Sequence, residues 1–143
     1  MSLTIVTGTD GTPPARAAVQ RAAELAGALG GKLVVVTAYD KLEVATLNEG
    51  RDEYRFASDE EALAIAETAA GQVRRADLDV EATAAQGKPA EVLIGTAEKV
   101  GASIVVVGNK RVQGMGRLLG SIASAVAAKA DCDVYIVHTH QAR

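Results

Sequence analysis

Apolar and polar positions along the chain alternate between two periods. Leu3 to Thr9 is short, β-branched and closed by Asp10-Gly11, which predicts a first strand. Thr12 stands where a helix cap belongs, with Pro13 at the first helical position, where a missing N–H costs little. Val19, Ala22, Ala23, Ala26 and Leu29 then fall near one face, and Gly30-Gly31 ends the helix. Lys32 to Tyr39 is a continuous apolar run, the pattern of a strand buried on both faces in a parallel sheet. Asp40 to Ala57 is polar and weakly periodic, long for a connection, and reads as a mobile loop or a lid.

The second half repeats the alternation. Ser58 and Glu61 have capping-box spacing, predicting a helix to about Ala76. Asp79 to Ala85 alternates, which suits a sheet edge. Gly87-Lys88-Pro89 is a break, and Pro89 opens a helix through Lys99. Ser103 to Val107 is a strand, a glycine-rich loop runs from Gly108 to Gly120, Ser121 is expected to cap a helix through Ala130, and Asp133 to His138 is the last strand. Strands separated by helices, joined by right-handed crossovers, make an open parallel sheet. No repeat, low-complexity segment or linker divides residues 1–143, so one domain is expected.

Composition sharpens this. Hydrophobic residues make up 48% and aromatic residues 3%, so the core must be built from Val, Ile, Leu and Ala. A net charge of −3 gives no global attraction to nucleic acid or anionic lipid. No apolar run reaches the ~18–20 residues of a membrane span. Cys132 is the only cysteine, which excludes an intrachain disulfide and fits a reducing compartment. The start of the chain lacks the basic-then-apolar pattern of a secretory signal, and a cytoplasmic protein is expected.

Two loops carry candidate chemistry. In an open parallel sheet, ligands bind beyond the carboxyl ends of the strands where the strand order reverses. Gly8-Thr9-Asp10-Gly11 follows the first strand. The loop after the fourth strand has glycines at 108, 114, 116 and 120, which let backbone amides approach a ligand, and it ends at a helix start that favours an anion. From Val100 to Ala130 there is no Asp or Glu, where about four would be expected from the composition, while Lys110, Arg111, Arg117 and Lys129 are present. A local positive field in an acidic chain points to a phosphate-bearing ligand, although a tight turn and a packed interface leave the same signs. The P-loop pattern is absent, and Gly114 to Gly120 is one residue too long for the dinucleotide fingerprint. His138 and His140 have no Cys or carboxylate at ligand spacing, and Asp131 and Asp133 disfavour a Cys132 thiolate.

Taken together, Thr7-Gly8-Thr9-Asp10-Gly11-Thr12, Gly87-Lys88-Pro89-Ala90-Glu91, Gly101 to Gly108, Leu118-Leu119-Gly120-Ser121 and Cys132 to Val137 resemble the universal stress protein family in order and spacing. The resemblance implies an α/β fold with a five-stranded parallel sheet in the order 3-2-1-4-5 and helices on both faces. It implies an adenine nucleotide, ATP (with Mg2+ accompanying it) or cyclic AMP, held in the crevice by a regulatory protein that is at most a weak ATPase. Gly8, Thr9 and Asp10 would lie near base and ribose, Ala38 against the adenine, and Val107 and Gly108 at the ribose. Gly120, Ser121 and Ile122 would hold phosphate. ATP-binding members carry Gly-x2-Gly-x9-Gly followed by Ser or Thr. Here Gly108 and Gly120-Ser121 match, Arg111 replaces the middle glycine, and eight residues rather than nine separate it from Gly120. Arg111 fits two roles, filling the phosphate space or clamping a phosphate with its fork of donors. The resemblance also implies a homodimer through Val134, Tyr135, Ile136 and Val137. The competing reading is a dimeric stress-response interaction protein that binds no nucleotide.

Overall fold

A computed structural model describes residues 3–40, 58–109 and 119–139. Within these, the order is β1 (Thr4–Gly8), α1 (Pro13–Leu29), β2 (Lys32–Tyr39), α2 (Asp59–Val73), β3 (Asp79–Gln86), α3 (Pro89–Val100), β4 (Ile104–Asn109), α4 (Ser121–Lys129) and β5 (Asp133–His138). The strands form one parallel sheet in the order β3-β2-β1-β4-β5. The expected lid or loop beyond Asp40, together with Arg111, Gly114 and His140, lies outside the described residues.

Local chemistry explains most boundaries. Gly30 closes α1 in the left-handed conformation, with φ 67°, a geometry that costs glycine nothing. The capping box at α2 forms as expected, Glu61 N–H donating to Ser58 Oγ at 3.1 Å and Ser58 N–H to Glu61 Oε1 at 3.1 Å. The end of α2 differs from expectation. It stops at Val73, because Arg74 turns extended and the chain reverses through a bridge between Arg75 and Leu78. The cap of α4 differs too. Gly120 occupies the cap position and Ser121 is the first helical residue.

The sheet separates two cores, and the division follows strand alternation. Ile5, Leu33, Val35, Val80, Val106 and Val137 pack against α1 and α2. Val6, Val34, Val36, Val105 and Val107 pack against α3 and α4. The helices present small residues to the sheet, Ala18, Ala22, Ala23 and Ala26 from α1 and Ala62, Ala66, Ala69 and Ala70 from α2. The branched strand residues supply the bulk, which is how the core closes with so few aromatic rings.

Two buried threonines on the α1/α2 side of the sheet make a useful contrast. Thr7 Oγ1 donates to the Val106 carbonyl at 3.0 Å. Thr37 is 3% exposed, yet its hydroxyl has no partner among the described residues. A buried hydroxyl left unpaired costs roughly 1–3 kcal/mol, whereas a satisfied one contributes about 1 kcal/mol. Thr37→Val is therefore expected to raise stability and Thr7→Val to lower it, each by about 1 kcal/mol. Urea unfolding of the two variants checks the opposite signs.

Candidate functional site

The sheet splits at its carboxyl end. The ladder between β1 and β4 stops at Thr7 and Val106. On either side of the split pairing continues. Gly8 still pairs with Val36, and Thr9 N–H donates to the Val36 carbonyl at 3.0 Å. Asn109 pairs with His138, and Thr139 N–H donates to the Asn109 carbonyl at 3.3 Å. From the split, β1 leads to α1 on one face and β4 leads towards α4 on the other. This is the reversal point of the strand order, the position at which open parallel sheets generally bind ligands.

The β1 wall is built to accept hydrogen bonds. Thr9 Oγ1 accepts from Gly11 N–H at 3.0 Å. Asp10 Oδ1 accepts from Thr12 N–H at 3.0 Å and from the Thr12 hydroxyl at 2.6 Å, and Gly11 makes the turn possible at φ 84°. Thr12, expected to cap α1, sits at the cap but spends its hydroxyl on Asp10 instead. With Thr12 N–H taken and Pro13 and Pro14 lacking an N–H, this helix start has little to offer an anion. What remains is Asp10 Oδ2, which has no hydrogen-bond partner among the described residues and is suited to a hydroxyl or amino donor.

The α4 wall is the complement. Its cap is a glycine with no capping side chain, its first turn has no acidic residue, and its first helical residue is not proline. The other helix starts are each compromised as anion sites. Two prolines open α1, the capping box and Asp59, Glu60 and Glu61 occupy α2, and Pro89 and Glu91 stand in the first turn of α3. The first intrahelical bond of α4 runs from Ser124 N–H to the Gly120 carbonyl at 2.9 Å. The amides of Ser121, Ile122 and Ala123 therefore have no acceptor within the helix, and no acidic side chain in the first turn offsets the positive end of the dipole. Leu119 and Ile122 flank this start at 44% and 41% exposure, leaving apolar surface beside the amides.

Asn109 joins the two halves of this wall and was not singled out from the sequence. It is 4% exposed, and its Oδ1 accepts from Gly120 N–H at 2.7 Å. The signal was present as an amide residue where the strand pattern calls for an apolar one.

The other expected site residues fall as follows. Gly8 lies against Leu93, whose Cδ2 is 3.1 Å from where a Cβ would stand. A Cβ on Gly108 would come within 2.8 Å of Thr139 Cγ2 and 3.5 Å of Ala18 Cβ, so its missing side chain makes room for the protein's own packing. Val107 is buried in the α3/α4 core, leaving only its backbone for a ligand. Ala38 is half-buried at the end of β2, the strand adjoining β1. A separate cleft of about 280 Å³ opens between α1 and α2, lined by Thr9, Thr12, Arg16, Ile65, Thr68 and Gln72 among others. It shares the β1 turn but has none of the α4 amides. Cys132 is partly buried, and that burial, with Asp133 and Asp131 beside it, pushes its thiol pKa up, against thiolate chemistry. Among the described residues no group of three His, Cys, Asp or Glu stands close enough to hold a metal ion.

An open parallel sheet in the order β3-β2-β1-β4-β5, with an acceptor wall and an amide-donor wall at its reversal point, defines a doubly wound α/β protein. The universal stress protein family model matches residues 1–138, and the chain belongs to that family. It is 35% identical over 141 residues to the universal stress protein Rv1636 of Mycobacterium tuberculosis, covering 95% of this chain and 96% of that one. It is 32% identical over 87 residues to the universal stress protein YxiE of Bacillus subtilis, covering 60% and 59%. Among solved structures it is similar to a universal stress protein in complex with cAMP, with a TM-score of 0.71 and 31% identity over 96% of this chain and 98% of that one. A universal stress protein from Archaeoglobus fulgidus shares the fold, with a TM-score of 0.72 at 24% identity, covering 96% and 99%.

Proposed function

We propose that this chain is a regulatory protein that binds an adenine nucleotide, ATP or cyclic AMP, at the split between β1 and β4. The observation that carries the reading is the start of α4, where three consecutive amides lack intrahelical acceptors and the first turn holds no acidic residue. Support comes from the likeness to a universal stress protein solved with cAMP. In this reading Ser121 and Ile122 hold phosphate through their amides, aided by the Ser121 hydroxyl, with Gly120 at the cap setting the approach. The Asp10 carboxylate takes a ribose hydroxyl. The backbones of Gly8, Thr9, Val107 and Gly108 and the small side chain of Ala38 border the nucleoside. The opposed chemistry of the walls supports this orientation of the ligand, since a phosphate placed at Asp10 would meet a carboxylate and two prolines. Mg2+ would arrive with ATP on its phosphates, and no catalytic residue is assigned.

A bound ligand stabilises the folded state by mass action, by about 2.7 kcal/mol at 100 times its Kd. Thermal unfolding with cyclic AMP and with ATP is expected to show a rise in Tm of several degrees that saturates. No rise with either nucleotide at millimolar concentration contradicts the proposal.

The two sheet edges differ, and this favours a second copy of the chain as partner. β3 carries Asp79 and Glu81, charges that discourage edge pairing. β5 carries Val134, Tyr135, Ile136 and Val137 between its terminal residues, the first three half-buried and Val137 buried. Tyr135 is held towards α1 within its own protomer, its hydroxyl accepting from Arg21 at 3.2 Å. We infer a homodimer through β5. Ile136→Lys is expected to convert the dimer to monomer in sedimentation velocity; a wild type that is already monomeric rules the dimer out. A dimer that releases no nucleotide on denaturation and gains no stability from one would favour the interaction-protein reading. No described helix is long and apolar enough to cross a membrane.

A further inference from the structure

The start of α4 would be held open for an anion by a residue thirteen positions upstream of Ile122, and the chemistry of that residue bears on selectivity. We propose that Asn109 is a positioning residue that anchors the α4 start with an uncharged oxygen, so that its dipole remains available to a ligand phosphate. This inference rests on the nucleotide reading above and extends it.

Three observations converge on Asn109. Its Oδ1 takes the Gly120 N–H at 2.7 Å, which satisfies the first of the four unpaired amides at the start of α4 and leaves the next three. Its backbone is fixed independently, pairing with His138 and accepting from Thr139 N–H, so the carboxamide projects from the rigid end of the sheet. It is 4% exposed, and the fit is close, since a Cβ on Gly120 would stand 3.3 Å from Oδ1. Helix starts are commonly capped by Ser, Thr, Asp or Asn, and an ionised cap also neutralises the dipole. At α2 the cap itself is the neutral Ser58, and Asp59, Glu60 and Glu61 in the first turn offset the dipole. At α4 the tether is neutral and comes from another element, so geometry is fixed without spending the electrostatics. An aspartate in the same place keeps an oxygen for the Gly120 N–H and would itself be the anion.

The test compares wild type, Asn109→Asp and Asn109→Ala for thermal stability, amide hydrogen exchange at Gly120, and calorimetric affinity for cyclic AMP and for adenosine, which lacks the phosphate. Asn109→Asp is expected to keep Gly120 protection while weakening cyclic AMP at least tenfold and leaving adenosine unchanged. Asn109→Ala is expected to lose Gly120 protection and about 3–6 °C in Tm. Equal cyclic AMP affinity in wild type and Asn109→Asp overturns the inference, as does an equal loss for both ligands, which would mean general damage to the crevice. Should the wild type bind no adenine nucleotide, the function proposed above falls. The inference is then decided on Gly120 protection alone, where equal protection in all three proteins overturns it and a loss confined to Asn109→Ala upholds the anchor.

Discussion

Ser121→Glu is expected to abolish tight nucleotide binding without harming the fold. Ser121 is exposed at the first helical position of α4, and nothing acidic lies in that turn. A glutamate there interacts favourably with the helix dipole by about 0.3–1 kcal/mol, so Tm should hold or rise slightly. For the ligand the sign reverses. A carboxylate about 5 Å from a phosphate costs roughly 3 kcal/mol at an effective dielectric near 20, which corresponds to an affinity loss of about 100-fold. Ser121→Ala removes only the hydroxyl and should cost about tenfold or less, because the backbone amides remain. Calorimetric titration of both variants with cyclic AMP and ATP separates the effects. A Ser121→Glu protein that binds like the wild type places the phosphate elsewhere.

The largest expected loss of stability is at Ile5. It lies in the central strand, is 0% exposed, and packs against α1 in a core whose helix side is mostly alanine. Ala22, Ala23 and Ala26 have no side-chain length with which to fill a void, and their helix is held by the same contacts. Ile5→Ala should therefore fall in the upper part of the range for such truncations, about 4 kcal/mol. Urea unfolding should show the midpoint falling with the m-value unchanged. A loss below about 1.5 kcal/mol, lower than the usual range for such truncations, would mean that α1 settles onto the sheet and that this core is not tightly determined.

The fold was legible because each element announces itself within a few residues. The unbroken apolar run Lys32–Tyr39 became a strand with both neighbours paired, and the alternating Asp79 segment became an edge. Ser58 and Glu61 formed the capping box their spacing implies. Local pattern served less well where a competitor for a hydrogen bond lies elsewhere in the chain. Thr12 has the sequence of a helix cap, but Asp10, two residues earlier, captures both its N–H and its hydroxyl. Ser121 likewise resembled a cap, but the cap falls one residue earlier, at Gly120, whose N–H is held by Asn109 Oδ1. A bond between residues 109 and 120 leaves no periodic trace, and the one sign of it is an amide residue where the alternation of β4 calls for an apolar one. The glycines show the same limit. Gly108 marks close approach correctly, yet the approaching groups are Thr139 and Ala18, a contact only the folded sheet reveals. The charge pattern, by contrast, carried over directly, for the acid-free stretch from Val100 to Ala130 includes the one described helix start with neither acid nor proline in its opening turn.

In the nucleotide reading, the amides opening α4 receive the phosphate of an adenine nucleotide. The most direct measurement is a titration of 15N-labelled protein with cyclic AMP, followed amide by amide. The account predicts saturable shifts that are largest at Ser121, Ile122 and Ala123, with a second group at Thr9 to Thr12. Saturation that leaves the three α4 amides unmoved, or no shift at all at millimolar nucleotide, would contradict it.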